Sequence, residues 1–570
     1  MRKHLRPFVL IITLSMIVAL SLLAMAADHA QASPGDVALV SSDSSGVEGN
    51  DHSGAPAVSD DGRYVAFSSQ ATDLVPGGTT GYQVFRKDLE SGAIVLVSCD
   101  AAGVEGNAGS YSPAMSPDGR YVAFHSDATD LIPGGTTGRQ VFRKDLSSGA
   151  VTLVSRNAAG IEGNGASEYA SVSSGGTYVA FDSVATNLVT PATTSRQVFR
   201  KDLSSGAVML VSCDSAGIEG NTAGNITFNP HITPDGSYVG FRSDATNLIP
   251  GGTTNRQAFL KEIATGDVEI ISCDASVTQG DDHSGSPTLT PDLGYAVFAS
   301  HADNLVAGSA SSDQQIFRKD LSSGEVVLVS CDAGATLGNG ASESPTVSAD
   351  GSYVAFTSLA TNLVPGGTTS NRRSIFRKDL ITSDVVLTSC NSAGTQADQR
   401  SNSARISSDG KYVAFASVAT NLIPPATTNW QIFRKELTTS RLAVTSVEPT
   451  QALQYTLWMD IILEGNDFQP GATVRLEKGT TIINPIIINV ASDTQIVCTV
   501  SLFFAEPGVY DVVVENPGGE DARLDDAFTV TSACGGGSGM ALLMLGITLG
   551  LLSLGGTYRL RDRMRRRMKR

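Results

Sequence analysis

Apolar residues in this chain fall into short blocks that return at a nearly fixed interval. The block Asp-Gly-Arg-Tyr-Val-Ala-Phe at residues 61–67 has close copies beginning at Asp118, Gly175, Asp235, Asp292, Asp350 and Asp409, so successive spacings are 57, 57, 60, 57, 58 and 59 residues. Almost every side chain of Tyr64-Val65-Ala66-Phe67 is apolar, the pattern of a strand buried on both faces. Asp-Gly between two apolar runs marks a tight hairpin turn, because glycine accepts the positive φ that such a turn needs. The first unit is thereby predicted to hold four strands, at residues 55–59, 64–68, 83–89 and 94–98. Between the second and third runs lies Ala-Thr-Asp-Leu-Val-Pro-Gly-Gly-Thr-Thr-Gly. In that reversal the leucine is expected to plug a gap and the Asp or Asn to tie the turn. The linkers between units are long, glycine-rich and polar, as surface loops are. No unit of this size can bury its apolar face alone, so neighbours must stack.

Four-stranded units arranged radially make a β-propeller, and seven is a common closing number. Residues 37–41 are a spare copy of the fourth strand placed before the first unit. The last unit's own counterpart, residues 442–446, is also the natural first strand of a second domain. Residues 37–41 are therefore predicted to pair with residues 431–436 and close the ring, which removes an open sheet edge. The pattern Ser-Pro-Asp-Gly-Arg-Tyr-Val-Ala-Phe resembles the repeats of TolB-like propellers, which are related to WD-type repeats. With Phe-Arg-Lys-Asp-Leu-Ser-Ser-Gly and Leu-Val-Ser-Cys-Asp-Ala-Ala-Gly added, residues 35–440 are similar to a bacterial group of exported TolB-like propellers. The resemblance implies a fold and no activity. It also implies, for many members, a turn before the third strand rich enough in Asp and Asn to hold Ca²⁺. Here Gly-Gly-Thr-Thr-Gly-Tyr-Gln at residues 77–83 has no carboxylate to replace a hydration shell, and calcium is not carried over.

Residues 441–531 carry a different pattern of short alternating strands and regular turns, which predicts a small β-sandwich. The order Ser-Val-Glu-Pro, Leu-Glu-Gly-Asn-Asp-Phe, Thr-Gln-Ile-Val-Cys-Thr-Val, Gly-Val-Tyr-Asp-Val-Val-Val-Glu-Asn-Pro-Gly-Gly and Ala-Phe-Thr-Val resembles the immunoglobulin-like IPT/TIG family. In extracellular proteins that resemblance implies a spacer or an adhesion module. The expected fold class is thus all-β: a seven-bladed propeller, an immunoglobulin-like sandwich and one C-terminal transmembrane helix.

The two ends bear on the compartment. Residues 1–32 join a basic start (Arg2, Lys3, Arg6), an apolar run and Ala-x-Ala sites, the form of a secretory signal peptide. Residues 532–539 are a Gly/Ser-rich linker, and residues 540–558 carry no charge. At ~1.5 Å per residue the latter is just long enough to cross a bilayer as a helix. Seven arginines and one lysine in residues 559–570 would keep that tail cytoplasmic. Linker, apolar span and basic cluster together resemble GlyGly-CTERM sorting signals. That resemblance implies an envelope protease as a partner and loss of the tail, whereas a plain anchor keeps it. The body is expected outside the cytoplasm, at the cell envelope.

Composition adds exclusions. The formal charge of −17, with basic residues crowded at the two ends, excludes nucleic acid as a partner of the body, since phosphate binding needs basic patches. The seven histidines show no metal-ligand spacing. His52 and His283 stand in near-identical Asp-His-Ser-Gly loops, which two inherited copies of one loop explain; His125, His231 and His301 suggest no constellation. Arg86, Arg143, Arg200, Arg318, Arg377 and Arg434 each precede an acid by two residues (Asp88, Asp145, Asp202, Asp320, Asp379, Glu436). Period-two spacing puts both on one strand face, predicting ion pairs between neighbouring units. Cys99, Cys213, Cys273, Cys331 and Cys390 occupy one place in five units. Equivalent sites on neighbouring sheets are about 10 Å apart, too far for a disulfide, which needs Cα atoms within ~7 Å. Neither a Gly-x-Ser-x-Gly elbow nor a phosphate-binding loop is found. No catalytic, cofactor-binding or metal residue is assigned, and no cofactor is expected. The sequence reads as a non-catalytic binding or display protein whose ligand is a protein or a glycan, with an extracellular lyase or hydrolase acting on polysaccharide as the other reading.

Overall fold

The computed structural model describes residues 36–532 except 222–228, 371, 438–441, 469–470, 493 and 517–520. The expected signal peptide, transmembrane span and basic tail lie outside the described residues. Among those described, no helix is long and apolar enough to cross a membrane. The chain divides into two compact units at Thr439/Ser440.

Every repeat folds as one four-stranded antiparallel sheet. In the first blade Ser53–Val58, Tyr64–Ser69, Gln83–Asp88 and Ile94–Leu96 lie side by side in chain order. Among the described residues the seventh blade has three strands of its own: Ser401–Ile406, Tyr412–Ser417 and Gln431–Glu436. Its fourth is Val37–Leu39, with Val37 opposite Lys435 and Leu39 opposite Phe433. Inner strands of successive blades touch all the way round, the seventh against the first. The first unit is therefore a closed seven-bladed β-propeller, sealed by the strand predicted from residues 37–41.

Apolar burial lies between blades rather than within them. Val84, Val97, Phe124, Leu131 and Phe142 form one such core across the first and second blades. Val40, Ile432, Val65, Phe67 and Phe85 form another across the closure. The Tyr-Val-Ala-Phe strand is buried on both faces in each blade, and its phenylalanine stacks on that of the third strand (Phe67–Phe85, 5.9 Å). The loop leucine is the expected plug: Leu74 is buried, and a Cβ on Gly49 would lie 2.9 Å from it.

The second unit is a sandwich. One sheet orders Ala443–Glu448, Met459–Asn466, Gln495–Val500 and Ile487–Ser492; the other orders Gln451–Leu453, Asp521–Thr531, Gly508–Glu515, Thr473–Lys478 and Thr481–Ile483. Alternate residues Ile461, Leu463, Ile496, Cys498, Val512, Val514 and Phe528 face inward and make its core, as period-two strands with one buried face require.

Candidate functional site: the propeller channel and its mouth

Each inner strand runs toward the Asp-Gly turn, so the tight turns gather on one face of the propeller. The long loops and linkers gather on the other. On the turn face one device recurs at five of the blade junctions. Gly119 has φ +71°, and a Cβ there would meet the Tyr64 ring of the preceding blade at 2.5 Å. Arg86 lies over that same ring at 4.3 Å and donates from Nη1 to the Gly119 carbonyl at 2.7 Å. Arg143, Arg318, Arg377 and Arg434 reach Gly176, Gly351, Gly410 and Gly62 in the same way.

This corrects the expected ion pairs between blades. Three of the acids pair within their own blade instead, Asp88 with Arg63 at 2.7 Å, Asp145 with Arg120 at 2.9 Å and Glu436 with Lys411 at 3.0 Å. Asp202 and Asp320 accept from serines of their own turn. The recurring lysines are buried and bond back to backbone carbonyls of the preceding blade, as Lys87 does to Asp43 at 2.6 Å. Around the channel at this face, Asp60, Ser174, Ala349 and Ser408 each donate a backbone N–H to the next blade's carbonyl at 2.8–3.0 Å. The other three positions are Pro117, Pro234 and Pro291, which have no N–H to give.

The loop ends of the same blades are not alike. The fifth residue of the second strand is Ser68, His125, Asp182, Arg242, Ala299, Thr357 and Ala416 in turn, and the residue before the third strand is Tyr82, Arg139, Arg196, Arg256, Gln314, Arg373 and Trp430. The fold gathers the unlike ones over the first four blades. Arg139 joins Asp127 (2.9 Å) to Glu168 (2.5 Å), and Arg196 joins Glu168 (3.1 Å) to the fully buried Asp182 (3.0 Å). Beside them Tyr82, Tyr111, His125 and Tyr169 make a run of ring contacts at 5.4–5.7 Å.

His125 is buried, and its Nδ1 has no hydrogen-bond partner. Burial pulls its pKa down to about 4 against the attraction of Glu168, so the ring is neutral at neutral pH. Burial works to raise Glu168, but bonds from Arg139 and Arg196 outweigh it and leave the carboxyl lowered. Tyr169 sits at φ +47°, in line with Ala55, Ser112, Asn229, Ser344 and Ser403, also at positive φ. The strand register shifts beside Tyr169 and Ala55 mark bulges, a device that re-aims side chains.

The bulges open onto the channel, a cavity of about 640 Å³. Its wall at one level is Ala57, Ala114, Ser171, His231, Thr288, Thr346 and Arg405, again one per blade. Arg405 is open to the channel yet walled by protein; its Nη1 bonds the carbonyl of Ala404 at 2.8 Å, and among the described residues it has no ion pair. Burial lowers its pKa, with no carboxylate opposing. Burial and the Arg405 charge together hold His231 down to about 4.

The sequence assigns His125 and His231 to no constellation, and the fold supplies a setting for each. The signal was present in the positions at which one repeat differs from the next. His52 and His283 take a structural part, each accepting on Nδ1 a backbone N–H of the preceding blade, from Trp430 at 3.1 Å and Arg256 at 3.2 Å. Among the described residues, no group of three or more His, Cys, Asp or Glu could hold a metal ion. The six described cysteines are free and buried.

A closed propeller with one built-up mouth is the class of protein that these features define. No family model matches the chain, and no curated protein matches it. Solved structures do. A protein assigned as TolB from Agrobacterium tumefaciens is similar at 17% identity and TM-score 0.31, over 49% of this chain and 80% of its own. Oligogalacturonate lyase from Vibrio parahaemolyticus is similar at 12% identity and TM-score 0.38, over 71% and 91%. A prolyl endopeptidase is similar at 12% identity and TM-score 0.44, over 82% and 55%. At these values the propeller rests on the strand pairing, and no activity rests on the likeness.

Proposed function

We propose that this is a binding protein of the cell envelope whose propeller takes an acidic glycan, or an acidic stretch of protein, at the channel and its loop-face mouth. The observation that supports this most is the contrast within the repeat. Turn-face tyrosine, glycine and arginine recur in most blades, whereas the fifth residue of the second strand is Ser68, His125, Asp182, Arg242, Ala299, Thr357 and Ala416 in turn. Stacking seven copies needs sameness; binding an asymmetric ligand needs difference. The aromatic run of Tyr82, Tyr111 and Tyr169 offers ring faces for sugar or side-chain stacking. Arg405, which has no ion pair among the described residues, offers a bidentate partner for a carboxylate. The sandwich, in the IPT/TIG reading, acts as a spacer. Residues 1–32 direct export, and residues 540–558 anchor the body or are removed by a sorting protease of the GlyGly-CTERM kind.

A second reading, a lyase or hydrolase acting on polysaccharide, is favoured by one observation: a neutral buried histidine beside a carboxylate network at the mouth. Such perturbed groups gather at functional sites. A glycan array and a pull-down from envelope extract, both with full-length protein, test the main reading. Selective retention of acidic ligands without their breakdown is expected. Shortened glycan products would favour the second reading, and indifference to ligand charge would refute the first.

A further inference from the structure

The sandwich differs sharply between its two ends. The chain reaches it at Ala443, opposite Asn466, and leaves it from Thr531, opposite Leu453 at the far end. That far end carries Leu453, Tyr455, Leu457, Trp458, Phe504 and Ile487, all exposed; Trp458 is 60% and Phe504 91% accessible. Backbone hydrogen bonds hold the loops that bear them. Tyr455 N–H donates to Leu502 O at 3.0 Å, Leu502 N–H to Thr456 O at 2.9 Å, and Gln454 N–H to Thr531 O at 2.8 Å. Phe503 meets Tyr455 and Phe504 edge-on at 6.1 and 4.8 Å. The platform is bonded to the strand from which the chain departs. Its charges are internally occupied: Lys478 faces Glu506 at 3.7 Å, and Asp460 accepts from Thr499 at 2.6 Å.

Water-exposed aromatic patches of this kind mark contact surfaces. The occupant is indicated by the chain itself. Met540, the start of the uncharged stretch, is nine residues beyond Thr531, a reach of no more than about 30 Å. Whatever surface residues 540–558 enter must lie close to this end. Tryptophan and tyrosine are the side chains that settle at a bilayer's headgroup level, with apolar neighbours just beneath.

We propose that the exit end of the sandwich rests on the outer surface of the lipid bilayer, with Trp458, Tyr455 and Phe504 seated in the headgroup region. This builds on the reading of residues 540–558 as a membrane anchor and adds a second, lateral hold. Two contacts restrain a body where one helix would let it swing.

The chain has two tryptophans, Trp430 and Trp458, so Trp430→Phe leaves a single reporter. Full-length W430F would be reconstituted into phosphatidylcholine vesicles carrying a shallow brominated acyl chain. Trp458 emission should shift to the blue and fall by more than about half, as for an indole at headgroup depth. Phe504→Asp in the same background should restore much of it. Full insertion of the anchor with Trp458 unquenched by bromine and open to aqueous iodide would overturn the docking alone. Trp458 shielded from bromine and iodide together, with dimers in crosslinking, would mean a second copy covers the platform and would also overturn it. Failure of the full chain to insert at all removes the anchor reading and the docking with it.

Discussion

The turn face and the loop-face mouth of the propeller are built from the same seven repeats and obey opposite rules. At the turn face, tyrosine, glycine and arginine meet in one geometry, and Arg434 reaches Gly62 across the closure as Arg86 reaches Gly119 between the first two blades. At the mouth, His125, Asp182 and Arg242 stand where other blades have serine, alanine or threonine. A repeat array must keep what one copy shows the next, and is free to vary what it shows the solvent. The variable positions are therefore where a binding function is to be sought.

Disturbing the shared geometry should do the most harm. Gly119→Val places a branched side chain at φ +71° against the Tyr64 ring. A loss of about 4 kcal/mol is expected from backbone strain and overpacking together. Denaturant unfolding measures it, and a loss under ~1 kcal/mol would mean the blades slide apart easily.

Acid should act next, and at the mouth. His125 takes a proton near 6.5 when unfolded but only at about 4 when folded. Between these values the unfolded chain holds more protons, so stability is full above pH 6.5 and falls as pH drops toward 4. The contribution is ~3 kcal/mol for a shift of this size. His125→Phe keeps an aromatic against Tyr111 and Tyr169 and should make that limb of the pH–stability curve shallower, leaving the share that His231, also held down to about 4, contributes. An unchanged slope across that window would show that His125 is not the group responsible.

Replacing one stitch should cost less. Arg434→Leu removes a charged hydrogen bond and a cation–π contact across the closure, worth ~2 kcal/mol together. The fourth blade already carries Leu260 at that position, so the fold tolerates the change once. Comparing the thermal midpoints of the unsubstituted and Arg434→Leu proteins checks it, and no shift would leave the arginines without a stitching part.

Smallest of all for stability should be Arg405→Gln. Among the described residues its guanidinium has no ion pair, and its hydrogen bond is to the Ala404 carbonyl, so little stabilisation is lost and stability should stay level or rise by up to ~1 kcal/mol. A clear loss would make Arg405 a structural residue and blur the contrast between the two faces.

Much of the framework was legible in the sequence. Asp-Gly turns, the apolar strand after them and the spare strand at residues 37–41 all act through local pattern or simple counting, and each reappears in the strand pairing. The ion pairs were misread because period-two spacing says which side chains share a face but not which ring lies between them. Tyr64 occupies the arginine and Arg63 takes the acid. The mouth was missed for a different reason. Aligning repeats by likeness discards unlike positions, and Tyr111, His125 and Tyr169 lie on two blades that only the stacking of the sheets brings together. The aromatic end of the sandwich was equally hidden, since its exposed residues come from separate loops.

The channel and mouth as an acidic-ligand site can be tested on one instrument. Full-length protein and its Arg405→Gln variant would be applied, at equal concentration, to an array that pairs acidic glycans with their neutral counterparts. Selective binding of acidic glycans is expected for the unsubstituted protein, with about a 30-fold loss in the variant, equivalent to ~2 kcal/mol of charged hydrogen bonding. Equal binding by both proteins, or equal binding of acidic and neutral glycans, would contradict it.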